Sequence, residues 1–352
     1  MFKSIIAYRY NSVETDFSQI HEQIKNNDYL FKPLNQFSTS TYGFNRFYDD
    51  VYIIEADNRI LLNATFSDKT VSPKTVNRLL EERIEKIKTE QGIDSVSDDS
   101  IAIYKQEIEN ELLKYTDPVN KSVLLLIDKN THHIYVDTSS SSLAEDALHL
   151  LRKMIGKLVC RFLSAKFADE TLSEIIQSSH SDSLGCLRIA DCPRVETINH
   201  EDGVKISLSG LYKKSDLFTD LFLYRKIKSI DFELFNKKYI NLPTLALFHL
   251  YVGKSGILII KKFSFDEPDD ELSDDVDAVS YRYTSKMLLV GRYMNMIIES
   301  LGEFLKIDYD MPISTADNQS KQLSQFINTI NDSVDKILND WKNNTKQETI
   351  NE

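Results

Sequence analysis

Enzyme chemistry needs particular side chains at particular spacings. In these 352 residues those spacings are missing, while paired cations recur. There is no glycine-rich phosphate loop closing on Gly-Lys-Ser/Thr, no GxGxxG after a strand, no HExxH and no GxSxG. The seven histidines (His21, His132, His133, His149, His180, His200, His249) are scattered, whereas a metal centre needs three or four converging ligands. His132 and His133 fall at a predicted hairpin turn, where His132 is expected to be solvent-exposed. The acids Asp269-Asp270-Glu271 and Asp274-Asp275-Asp277 lack the glycine and spaced terminal Glu of an EF-hand loop, so they predict a solvated acidic loop. Cys160, Cys186 and Cys192 form neither an even framework nor a CxxC pair; reduced structural thiols in a cytoplasmic protein are expected. No catalytic residue, metal or cofactor is predicted.

The cations are more suggestive. They occur as Arg78, Arg83, Lys86 and Lys88 in one segment, then Arg152-Lys153 with Lys157 and Arg161. Lys213-Lys214, Arg225-Lys226-Lys228, Lys237-Lys238 and Lys261-Lys262 follow. Sequence-independent binding of duplex DNA needs only a surface presenting several such side chains at phosphate spacing. Any single pair is by default a solvated face. The formal net charge of −12 argues against nucleic acid at face value. However, Asp266 to Asp277 (DEPDDELSDDVD) holds eight acids and no base, and without it the remainder is about −4.

The elements that must position these residues can be read from periodicity. FKSIIAYRY predicts a strand, and DFSQIHEQIKNN a short helix with Asp16 or Thr15 as N-cap. A polar, aromatic-spotted loop containing Tyr42-Gly43-Phe44 precedes a hairpin, VYIIEADNRILLNATF, turning at Ala56-Asp57-Asn58. Pro73 opens a helix with Val76, Leu80, Ile84 and Ile87 on one narrow face, ended by Gly92. Ile101 to Tyr115 forms a second, carrying Ile101, Tyr104, Ile108 and Leu112. Two stripes this narrow suit helices that pack mainly on each other. Leu124 to Leu163 reads as strand, tight turn, strand, polar loop, amphipathic helix and strand, and DETLSEIIQSS as a short helix. VKISLSGLY, KIKSIDFELF, YINLPTLALFHLYV and GILIIKKFSF predict an antiparallel sheet interrupted by a helix at SDLFTDLFLYRK. SYRYTSKMLLVGRYMNMIIESLGEFL reads as a strand or turn and then an apolar helix. Leu323, Phe326, Ile327, Ile330, Val334, Ile337, Leu338 and Trp341 mark a final amphipathic helix.

Length allows two or three structural units, and 41% hydrophobic with 27% charged residues is the composition of a folded soluble protein. No run reaches the 18 or more apolar residues of a membrane span, and the N-terminus lacks the pattern of a signal peptide.

Three blocks together resemble the RdgC family, the recombination-associated DNA-binding proteins of bacteria. They are FKSIIAYRY, the stretch from Val71-Ser72-Pro73 through both helical arms to LAEDALHLLRKMIGKL, and RYTSKMLLVGRYMNMIIESLG. The likeness extends over roughly residues 2 to 304. It implies an α+β fold of mostly antiparallel sheets with flanking helices and a projecting two-helix hairpin, each protomer a crescent in a ring-shaped homodimer. Residues 1–72 with 118–165 are then a central α/β body, 73–117 the projecting tip and a dimer contact, 166–307 a base domain, and 308–352 a C-terminal helical extension. The implied function is non-enzymatic: the ring encircles duplex DNA in the nucleoid without sequence preference and antagonises RecA. The family's Arg-Lys falls on Arg152-Lys153, and its basic first arm loosely on Arg83, Lys86 and Lys88. Lys213, Lys214, Arg225 and Lys226 complete the expected phosphate contacts, and Tyr115, Asp117 and Pro118 the expected dimer contact.

The chain departs from the family in the loop joining the arms, commonly lysine-rich but here GIDSVSDDS. The family's aromatic tip residue aligns near Asp117-Pro118, and its basic pair after Gly203-Val204 aligns with Ser207 to Ser209; Lys213-Lys214 follow slightly later. The tail beyond Ile307 has no counterpart in the shorter members. These departures open an alternative, a ring turned into a protein-interaction module in which the tail helix docks a partner through Phe326 and Trp341.

Overall fold

Neighbouring apolar residues in the strands point to opposite sides, and here both sides are covered. In the computed structural model, which describes residues 2–35, 38–177, 184–199, 202–213, 215, 225–236, 244–266 and 276–308, the strands form one 13-stranded antiparallel sheet. β1 (Ser4–Tyr10), β2 (Ser40–Asn45), β3 (Ile53–Ala56), β4 (Arg59–Asp68), β5 (Val119–Asp128), β6 (His133–Val136) and β7 (Cys160–Phe162) come from the first half of the chain. β8 (Leu187–Ile189), β9 (Val195–Asn199), β10 (Lys205–Leu208), β11 (Arg225–Leu234), β12 (Ala246–Val252) and β13 (Leu258–Phe265) come from the second. The order is β10-β9-β11-β12-β13-β1-β6-β5-β4-β2, with β3 on β4, β7 on β1 and β8 on β11. The β13–β1 ladder, Ser4 opposite Lys261, joins the two halves.

Six helices accompany the sheet among the described residues: α1 (Ile20–Lys25), α2 (Pro73–Gln91), α3 (Asp98–Tyr115), α4 (Ser141–Ile155), α5 (Ala168–Gln177) and α6 (Val276–Leu305). Ile6, Leu62, Leu125 and Ile127 pack with Ala147, Leu148 and Leu151 of α4 in one apolar cluster. Their neighbours Ile5, Leu61 and Leu126 belong to the other, with Met287, Val290 and Met294 of α6. That is why the strand runs are continuously apolar rather than alternating: each successive side chain enters a different core.

Helix α6 is also locked by a buried polar tie. The Arg59 Nε donates to Asp128 Oδ2 at 2.8 Å, and Asn295 Nδ2 donates to the same oxygen at 3.0 Å. Tyr135 Oη donates to Asn295 Oδ1. A Cβ at Gly291 would sit 2.5 Å from Arg59 Nε, so this mid-helix glycine is required by the packing despite its intrinsic cost of about 1 kcal/mol.

The hairpin α2–α3 has a separate, smaller cluster. Val76, Leu80 and Ile108 are buried, with Leu79, Ile84, Ile101, Tyr104 and Leu112 of the hairpin and Val71 just before it packed against them. Pro73 occupies the first turn of α2, Gly92 ends it at φ +65°, and Ser97 Oγ accepts from Ser100 N to cap α3.

Several sequence expectations need correction. Residues 40–45 are a strand, not a loop: Phe31 N donates to Phe44 O, Phe44 N to Tyr29 O, and the lack of a Cβ at Gly43 admits the Phe31 backbone. Asp16 accepts from Ser18 N in a turn instead of capping α1, which starts after Gln19 with no side-chain cap. α6 runs unbroken from Val276, so Ser280–Tyr283 are helical; Val279, Tyr283, Met287, Val290 and Met294 keep spacings of three and four. Arg225 and Lys226 lie in β11, so the helix expected to end on them does not reach that far. His132, at φ +59°, is half-buried beside the Tyr10 ring. Strands β8 and β9 were not anticipated. The acidic residues 267–275, most of the helix expected at 215–226, and the tail from 309 lie outside the described residues.

Candidate nucleic-acid interface

The cations singled out by sequence fall on separate elements, and most have local partners. On the hairpin, Arg83 donates to Glu107 at 2.7 Å and stacks over Tyr104, 4.7 Å from the ring centre. Lys86 faces Glu90 at 3.8 Å, and Lys88 is half-buried near the end of α2. These are exposed pairs, each worth about 0–1 kcal/mol, so a phosphate can compete for the cation.

At the end of α4, Arg152 Nε donates to Leu158 O at 3.1 Å. Lys153 Nζ donates to Tyr42 Oη at 2.8 Å and lies 5.0 Å from that ring's centre. Both sit in the last turn, where positive charge complements the helix dipole. Tyr42 projects from β2, so the strand missed by sequence reading is what positions Lys153.

The third group lies by β8–β11. Lys213 Nζ donates to Ile189 O at 2.9 Å and pairs with Asp191 at 3.3 Å, leaving its side chain 10% exposed. Lys226 pairs with Glu170 of α5, whose carboxylate holds the ammonium above its ordinary pKa. Arg225 reaches Val204 O at 3.5 Å. Lys214 lies outside the described residues. Nearby, burial alone would raise the Asp231 carboxyl, but hydrogen bonds from His249 and Arg194 hold it well below the carboxylate range.

Of the residues expected at a dimer contact, Tyr115 is 84% exposed at the end of α3, and Asp117 and Pro118 are exposed beside it. Val119, starting β5, is exposed as well.

One concentration of positive charge was missed. A cavity of about 480 Å³ lies between β4–β5, the β2–β3 connection and the first turns of α6, and Arg46, Arg282 and Lys286 all line it. Asn63 of β4 also lines it, and its buried Oδ1 has no hydrogen-bond partner. The Tyr283 ring, edge-on to Phe47 at 5.2 Å and stacked on Tyr48 at 6.1 Å, fixes α6 against the β2–β3 connection. Arg282 and Lys286 stand four apart on α6; the signal was hidden because SYRY reads as strand or turn, which puts them out of helical phase.

Among the described residues no group of three His, Cys, Asp or Glu is placed to hold a metal, and no helix is long and apolar enough to cross a membrane. Burial pushes the Cys160 thiol up to about 11, which keeps it protonated at neutral pH.

Residues 1–182 match a family model described as "Putative exonuclease, RdgC". The chain is 29% identical over 183 residues to the recombination-associated protein RdgC of Shewanella loihica, covering 51% of this chain and 59% of that one. The protein of the same name from Haemophilus influenzae is 29% identical over 162 residues, 45% and 52% of the two chains. That from Shewanella sediminis is 26% identical over 224 residues, 62% and 71%. The chain thus spans about three fifths of the length of the Shewanella loihica relative.

Proposed function

The chain belongs to the RdgC family, and on that premise we propose that it is a non-enzymatic protein binding duplex DNA without sequence preference. It acts as a ring-shaped homodimer that encircles the duplex and so antagonises RecA-mediated strand exchange. The relatives are named for recombination, which fits a DNA partner. The observation that carries the reading is the hairpin within the matched residues. Apart from Val71 just before it, its apolar cluster is made by the hairpin's own residues and is separate from the sheet's two cores, and the hairpin leaves Tyr115 and Val119 exposed at its base. A pair of helices stabilised this way is suited to contacting a second copy. Topological closure then gives long residence even where each phosphate contact is weak.

Fluorescence anisotropy with several unrelated duplexes at rising salt tests DNA binding. Similar affinities for all of them at roughly 50 mM salt, falling steeply with ionic strength, are expected. Absence of binding there, or strong preference for one sequence, sinks the reading. Light scattering should give twice the 40.6 kDa chain mass. Retention on closed circular DNA at salt that releases linear DNA tests encirclement. Loss of end-labelled nucleotides from duplex in magnesium or manganese would instead favour the exonuclease chemistry named in the family description.

A further inference from the structure

At the edge of the sheet, β2 and α4 enclose a recess that presents aromatic rings to solvent. β2 ends the strand order, so no further strand covers that side. Tyr42 on β2 and Phe66 on β4 are register neighbours, their rings stacked at 6.5 Å and 30°. Tyr42 is 50% exposed, so the pair is displayed rather than packed away. Leu150 of α4 extends the apolar lining. The polar lining carries both signs of charge. Lys153 Nζ donates to Tyr42 Oη at 2.8 Å, and Lys121 of β5, the register neighbour of Phe66, shares the aromatic face. Asp68 and Asp146, both exposed, place two carboxylates in the same lining. At about 280 Å³ the volume falls just below that of drug-sized ligand sites, room for one flat heterocycle.

We propose that this recess takes one unpaired, amino-bearing base of a DNA strand. The base stacks on Tyr42, its amino group donates to Asp68 or Asp146, and the flanking phosphates meet Lys153 and Lys121. Stacking on an exposed aromatic ring suits every base. Ionised carboxylates only accept hydrogen bonds, so they select the exocyclic amines of cytosine, adenine and guanine. Thymine offers one ring N–H between two carbonyl oxygens, which the carboxylates repel. A cationic side chain of a partner protein would suit the carboxylates but is repelled by Lys153. A bare phosphate would suit Lys153 but is repelled by the carboxylates. A paired base has both faces stacked and its amino group engaged, so only a base outside the duplex can enter. The site therefore goes beyond duplex encirclement and reads a strand only where it is single.

Fluorescence anisotropy of the full chain with labelled oligo-dC and oligo-dT of equal length tests it. Oligo-dC binds about tenfold more tightly than oligo-dT, the value of one charge-assisted hydrogen bond. Tyr42→Leu weakens oligo-dC at least about fivefold more than closed circular duplex, in which no base is free to stack. Tyr42→Phe keeps the ring and retains the preference for oligo-dC. Asp68→Asn combined with Asp146→Asn erases that preference, because an amide donates as well as accepts. The readout is a ratio, so the general gain from losing two negative charges cancels. Thermal unfolding verifies that each variant folds. Four results overturn the proposal: no binding of oligo-dC at about 50 mM salt, equal affinity for the two strands, equal losses for single strand and duplex in Tyr42→Leu, or an unchanged ratio in the double asparagine variant. Duplex binding is read separately. A chain that takes oligo-dC but not circular duplex keeps this site and loses encirclement, and the reverse result loses this site alone.

Discussion

Two ion pairs of nearly equal length divide this molecule. Arg59–Asp128 in the sheet body spans 2.8 Å, and Arg83–Glu107 on the hairpin spans 2.7 Å. Their side chains are 10% and 0% exposed in the first pair and 39% and 52% in the second. Burial, not distance, sets what each pair does. The first pair has lost water on both sides, and its oxygens are supplied by Asn295, Asn130 and Thr131 instead. Removing Asp128 leaves the buried Arg59 with only the largely exposed Asp57, and removing Arg59 leaves the Asp128 carboxylate to its neutral donors. The second keeps its water and exchanges partners at little cost. The same contrast holds for the apolar contacts. α4 buries seven residues against the sheet, whereas the hairpin buries Val76, Leu80 and Ile108 among themselves. The body is held by fully buried contacts and the hairpin by partly hydrated ones.

The contrast breaks most visibly at Asp128. Asp128→Ala strips the carboxylate from Arg59, Asn295 and two backbone N–H groups, and should cost about 3–5 kcal/mol in urea unfolding. A cost below about 1 kcal/mol would mean that this pair is as replaceable as the hairpin's. Next come two matched truncations. Leu148→Ala, at 0% exposure in α4, should cost about 3 kcal/mol and shift the global transition. Leu80→Ala, at 9% exposure in α2, should cost about 2 kcal/mol. Its effect should be local: hydrogen-exchange protection falls in residues 73–115 while the sheet amides keep theirs. Equal loss across the sheet would show that the hairpin is part of the body's cooperative unit.

Acid should separate the two regions without mutation. His133 is buried in β6 with neither ring nitrogen hydrogen-bonded, and burial lowers its pKa from 6.5 to about 4, with Arg9 adding to the effect. The unfolded state therefore binds a proton that the folded state refuses. Stability is full above pH 6.5 and is lost as pH falls towards 4. Between pH 7.5 and 5 the loss is about 2 kcal/mol for this one group. His133→Phe should flatten that slope. The hairpin contains no histidine, so over the same window its helicity should hold. A wild-type slope in His133→Phe would assign the acid sensitivity elsewhere.

Strong local periodicity made much of this fold legible. Pro73, Gly92 and two narrow stripes located the hairpin, and the apolar face of α4 located the helix after β6. What escaped depends on contacts made across the chain. β2 is polar and contains a glycine, and it is a strand because β4 pairs it on one edge while Tyr29 to Phe31 bond to Phe44. The second turn of α6 carries Tyr281 and Tyr283, two apart in a way that mimics alternation, and helix wins because Tyr283 packs on Phe47 and Tyr48. The site was less legible. Adjacent cations such as Lys213-Lys214 catch the eye, yet Lys213 turns inward to Ile189 and Asp191. Arg46 and Arg282 come from opposite ends of the chain, and no spacing rule links them.

The smallest expected effect on stability concerns the pair on the hairpin. Arg83→Ala removes the bond to Glu107 and the stacking on Tyr104, both partly hydrated. It should therefore cost less than about 1 kcal/mol, and less still at high salt. Its effect on DNA is a separate measurement. If Arg83 meets a phosphate, the variant should lower the slope of log affinity against log salt by about 1, uniformly across sequences. Glu107→Gln should act in the opposite sense, because a released guanidinium is free for phosphate and one repelling carboxylate is gone. Unchanged slopes in both variants would show that Arg83 meets no phosphate. A large loss of stability in Arg83→Ala would erase the distinction between the two ion pairs.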